Sequence, residues 1–126
     1  MPDTQEIASD RSAVVKAAVI GLFGQLAMVF GGHWNVGIAQ MFPTLGTTIA
    51  GLAGLLVPFL HRGLSAKHAA GGGALAGGGA AIVGILVSYM LGDVPLAVVA
   101  IGGGMSTLAG AIGGMIGRLL TVRTTT

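Results

Sequence analysis

Residues 69–91 form an uncharged run, AAGGGALAGGGAAIVGILVSYML, that carries seven glycines. In water such a segment makes a poor helix, because each interior glycine costs about 1 kcal/mol relative to alanine. A bilayer reverses the constraint. Its hydrocarbon core is about 30 Å thick, and roughly 20 apolar residues rising about 1.5 Å each cross it as a helix. Backbone N–H and C=O groups must bond within the segment there, so an inserted run of this kind is helical. Gly73, Gly77, Ala81, Gly84 and Ser88 then recur at spacings of 4, 4, 3 and 4, which is one face of a helix. A face that flat lets another helix backbone approach closely.

The rest of the chain has the same character. Only 8% of its 126 residues are charged, against about 25% in ordinary soluble domains. Its mean hydropathy is +0.90. That length suits one compact membrane domain. The absence of cysteine excludes disulfide frameworks and thiolate chemistry. The net charge is only +2 and its cations are dispersed, so the high pI does not point to nucleic acid.

The expected fold is an all-α integral membrane domain, residues 13–120, of four transmembrane helices arranged as two hairpins. The spans are placed at 13–30, 38–60, 69–91 and 96–117. A polar segment, residues 1–12, precedes them, and a short tail, residues 121–126, follows. Asp3 and Glu6 have capping-box spacing, which suggests a surface helix. Gly31 to Asn35 (GGHWN) is expected to turn, with Trp34 in the headgroup layer. Pro43 suits the first turn of the second span, and Pro58 should kink or end it. Gly92-Asp93-Val94-Pro95 has the chemistry of a tight turn.

Charge placement gives an orientation. With four spans, Arg11, Lys16, Arg62, Lys67, Arg118 and Arg123 all fall at or within a turn of one side, and Asp93 lies in a loop of the other. By the positive-inside rule both termini are cytoplasmic, in a bacterial inner membrane. Lys16, Trp34, Arg62, Lys67 and Arg118 are the expected interfacial anchors.

Small residues also line the second and fourth spans, at Gly46, Ala50 and Gly54 and at Gly103, Ser106, Gly110, Gly113 and Gly117, with Gly114 completing a second GxxxG pair. Gly103, Gly110, Gly113, Gly114 and Gly117, together with Gly73, Gly77 and Gly84, are the expected helix-packing positions. A weak repeat relates residues 49–54 to residues 108–113.

No catalytic constellation is present. The spans hold no carboxylate, and the GGG triplets lie inside apolar runs without the strand and lysine of a phosphate loop. His33 has no partner nearby in sequence. His61 and His68 are badly spaced for a helical metal pair and sit beside Arg62 and Lys67. The expectation is therefore no enzyme, cofactor or metal. Gln25, Thr44, Thr47, Thr48 and Ser88 fall in the half away from the cations, with Ser106 and Thr107 near mid-depth. Either they line a vestibule or pore, or their hydroxyls bond their own helix carbonyls.

In size and span count the chain is similar to the small multidrug transporters. It departs from them in lacking an acidic residue in the first span, and its charge bias opposes their dual topology. Phe42-Pro43-Thr44-Leu45-Gly46 resembles the opening of a span in fluoride channels of similar size, without the asparagine and the phenylalanine–threonine pair expected there. No site is carried over from either family. The leading expectation is a self-assembling pore former, a small channel or phage holin-like protein. The alternatives are a non-catalytic accessory subunit of a membrane or virion complex, and a small transporter of a neutral substrate. The expected partners are the bilayer and either further copies or other membrane subunits.

Overall fold

A computed structural model describes residues 4–124 of the chain, with side chains for residues 11–122. Five helices occur in it: α1 (Thr4–Trp34), α2 (Val36–Gln40), α3 (Phe42–Leu60), α4 (Ala66–Met90) and α5 (Leu96–Thr124). Among the described residues there is no strand. Four of the helices are long and apolar enough to cross a membrane, over Arg11–Trp34, Phe42–Leu60, Ala66–Met90 and Leu96–Val122. The protein is thus an all-helical chain with four candidate membrane spans.

Helix ends differ from the expected span limits. The first helix takes in both the polar segment from Thr4 and the glycines expected to turn, and it stops only at Trp34. The break is a single residue, Asn35, in extended backbone. Its Oδ1 accepts from the N–H groups of Gly37 and Ile38 at 2.9 and 3.3 Å and so starts α2. Gly32 permits the fold-back, because a Cβ there would run into the Phe42 ring. The capping-box side chains of Asp3 and Glu6 lie outside the described ones. Pro58 does not stop α3 at once. It sits buried in the last turn, and the helix ends two residues later at Leu60. The last helix runs past residue 117 to Thr124.

The turn at 92–95 is built as expected from its residues. Gly92 takes φ +81°. Its N–H bonds Tyr89 O, and the Asp93 N–H bonds Ser88 O, both at 3.0 Å. This pair of bonds is a Schellman cap, which satisfies the last carbonyls of α4 and needs a left-handed residue where glycine stands. At the other end Ser65 caps α4, its Oγ accepting from the His68 N–H at 3.3 Å.

The helices run alternately up and down. Two of them, α3 and α4, touch each other and form the centre. On one side α1 packs on both, and on the opposite side α5 does, while among the described residues α1 and α5 make no contact with each other. The separation of α5 from the centre changes along its length. Near the end that carries Lys67 and Arg118, backbone meets backbone. A Cβ on Gly110 would strike Gly73 O, one on Gly114 would strike Ala69 O, and one on Gly113 would strike Gly51 O. Gly117 is similarly placed against Leu55 O, and Gly77 against Ala50 O. Toward the Asp93 end, α4 presents side chains instead. Ile82 and Ile85 reach Gly103 and Gly102, each 2.8 Å from where a Cβ would be. Isoleucine in place of glycine spaces the helices apart, and a cavity opens at that end.

Candidate functional site

The cavity has a volume of about 220 Å³ and is lined by all four long helices. Its walls are mostly apolar, with Met28 and Val29 from α1, Phe42 from α3, Ile85 from α4, and Val98 and Met105 from α5. Four polar side chains join them: Gln25, Thr47, Ser88 and Ser106. Three of these are nearly inaccessible, Gln25 at 1%, Ser88 at 2% and Ser106 at 3% exposure. Concave apolar walls with a few convergent polar groups are the usual form of a small-molecule site.

Gln25 enters the cavity because α4 offers it Gly84. The Gln25 Cβ stands 2.8 Å from where a Gly84 Cβ would be. Its Nε2 donates to Gly46 O at 3.0 Å across the α1–α3 contact. Only the amide nitrogen can donate to a carbonyl, so this bond fixes the amide orientation. The side-chain carbonyl oxygen remains to accept from another donor.

Ser88 is the exceptional group. A serine within a helix normally donates to the carbonyl four residues earlier. Here Ser88 Oγ is buried and has no hydrogen-bond partner. A buried unpaired hydroxyl costs about 1–3 kcal/mol; the oxygen is closed off from the cavity as well as from the surroundings, so a guest offsets that cost only where a neighbouring side chain moves aside.

The other expected lining residues behave differently. Thr47 donates to Pro43 O, Thr48 to Thr44 O at 2.7 Å, and Thr107 to Gly103 O at 2.7 Å. Their hydroxyls are spent on their own helices, and only Thr47 of the three borders the cavity. Thr44 is exposed and lies away from it. Thr107 packs against Gly78 of α4. In sequence Ser88 stands both on a glycine face and among the polar residues of one half, but nothing local marks it as the hydroxyl that forgoes its helix carbonyl.

One contact at the Asp93 end was not legible at all. His33 Nδ1 lies 2.9 Å from Oδ2 of Asp93, a residue 60 positions further along the chain. Asp93 is delivered there by the Schellman cap, and the next residue, Val94, borders the cavity. The pair therefore ties the end of α1 to the α4–α5 turn beside the cavity. Trp34 meets the His33 ring edge-on at 5.2 Å and is 84% exposed. Lys16, Arg62 and Lys67 are exposed, whereas Arg118 is half-buried and its Nε donates to Leu64 O at 3.0 Å. Among the described residues no three of His, Cys, Asp or Glu converge as a metal site would require.

Each expected packing glycine faces another helix of the same chain. Gly73, Gly77, Gly110, Gly113, Gly114 and Gly117 meet backbone, Gly84 meets Gln25, and Gly103 meets Ile82. Gly71, Gly79 and Gly104, by contrast, have no such neighbour within 4 Å. Compared with protein-family models, with curated proteins and with solved structures, the chain matches none.

Proposed function

We propose that this chain is a small membrane carrier that binds an uncharged, mostly apolar molecule with one hydrogen-bonding group. The observation that carries this is the unpartnered Ser88 Oγ, buried in the wall of a cavity it shares with Gln25 and Ser106. The volume suits a compact guest. A dry cavity of about 150 Å³ admits benzene, so about 220 Å³ admits a ring with a short polar substituent. The described cavity lining holds no charged side chain, so an ionised guest would be left unpaired in a low dielectric.

Self-assembly into a pore would need small faces left over for other copies. The eight packing glycines instead meet helices of their own chain, which favours binding within the bundle over a pore between bundles. Close backbone approach at Gly73, Gly77, Gly110, Gly113, Gly114 and Gly117 is, on this account, what closes the seam between α3, α4 and α5 toward the Lys67 end while the Asp93 end holds the site. The positive-inside rule puts the Lys67 end in the cytoplasm of a bacterial cell and the cavity in the outer half of its inner membrane.

The test uses the purified chain in a neutral detergent. Benzyl alcohol should raise its melting temperature saturably, by mass action on the folded state. Toluene, which lacks the hydroxyl, and benzoate, which is charged, should do so far less. Equal shifts from all three would mean that the cavity reads no polar group, and the proposal would fail.

A further inference from the structure

A second concavity lies at the opposite end of the bundle, and its chemistry differs from the first. It is a cleft of about 650 Å³ between the start of α1, the end of α3 and the first turns of α4. Arg11, Lys67 and His68 border it, and all three are exposed. Below them the walls are apolar, with Val15, Val57 and Leu75. Gly71 keeps the cleft open, since no other side chain comes within 4 Å of where its Cβ would be.

Depth identifies the occupant. Ala66 begins one of the four candidate spans, so Lys67 and His68 in its first turn, with Arg11 on the same cleft, stand where headgroup phosphates lie. From Lys67 to Leu75 the helix rises about 12 Å, which carries the apolar wall below the headgroups and into the acyl region. The first turn of α4 adds the positive end of a 25-residue helix on the same side. Cations at phosphate depth over an apolar slot complement a lipid with a negative headgroup. A free phosphate ion would make no use of the apolar walls.

We propose that this cleft is a binding site for one anionic phospholipid, its phosphate held by Arg11, Lys67 and His68 and the upper part of one acyl chain laid along Gly71 and Leu75. His68 Nδ1 is engaged with Ser65 Oγ at 2.8 Å, which leaves Nε2 for the lipid. The site is independent of the cavity at the Asp93 end.

Native mass spectrometry of the full chain, released from mixed micelles, counts retained lipid directly. With phosphatidylglycerol and phosphatidylcholine at equal concentration, one phosphatidylglycerol should be retained at least tenfold more often. Salt should erode that preference. Lys67→Gln and Arg11→Gln should abolish most of it, and so should Gly71→Leu, which fills the slot from an open position. Arg62→Gln, outside the cleft, should leave the preference intact. Melting temperatures measured without lipid check that each variant is folded. Equal retention of the two lipids would overturn the proposal. So would a preference that survives Lys67→Gln and Gly71→Leu but is lost with Arg62→Gln. Inorganic phosphate displacing phosphatidylglycerol at equal concentration would also overturn it, by showing an anion site with no use for the acyl chain.

Discussion

His33 Nδ1 and Asp93 Oδ2 lie 2.9 Å apart and join the end of α1 to the α4–α5 turn. Both side chains remain partly open to their surroundings, at 32% and 24% exposure. Partly exposed pairs of this kind contribute about 0.2–1 kcal/mol. His33→Ala and Asp93→Asn should therefore each cost no more than about 1 kcal/mol, and a double-mutant cycle of unfolding in mixed micelles should return a coupling of that size. A coupling several times larger would mean that the ion pair, more than helix packing, holds this end together.

Gly110 and Gly79 make a sharper pair. A Cβ at Gly110 would collide with the backbone of Gly73, which has no rotamer to yield, whereas one at Gly79 meets nothing within 4 Å. Gly110→Ala should lower stability by about 1–3 kcal/mol or more through overpacking. Gly79→Ala should be neutral or stabilising by up to about 1 kcal/mol, from helix propensity alone. Melting temperatures of the two variants in one detergent decide it, and equal losses would refute the α4–α5 packing described above.

Ser88→Ala should affect stability and binding with opposite signs. Removing an unpartnered buried hydroxyl relieves part of a penalty of about 1–3 kcal/mol, so the ligand-free variant should melt higher than the parent. A lower melting temperature would mean that Ser88 Oγ makes a stabilising bond within the fold.

Orientation is read from reporters. A reporter fused after Thr126 should be active on the cytoplasmic side, and one inserted at Asp93 on the external side. Matching signals from the two positions would mean that α5 does not cross between them and would overturn the four-span reading.

Four apolar runs made the helical membrane architecture legible, because length and hydropathy suffice to identify a span. The ends were less legible. Gly31 and Gly32 are breakers in water but not in an apolar helix, and the stop came from the capping chemistry of Asn35. The glycine faces could be placed by periodicity, but their partners could not. Periodicity shows that Gly73 and Gly110 each lie on a flat face, not that the two faces meet. The repeat segments illustrate the same limit, since residues 49–54 and 108–113 pack on each other through Gly54 and Gly110. Of the polar residues, Thr47, Thr48 and Thr107 follow the local rule and bond their own helices. Ser88 departs from it, and only the packing around Gln25 and Ser106 makes that departure visible.

The most direct test of the binding account is equilibrium titration of benzyl alcohol into the purified chain and into Ser88→Ala. The parent should bind one molecule per chain. The variant should bind at least tenfold more weakly, a difference of about 1.4 kcal/mol, while remaining folded. Unchanged affinity in Ser88→Ala, or no saturable binding to the parent, would contradict the assignment of the cavity as the functional site.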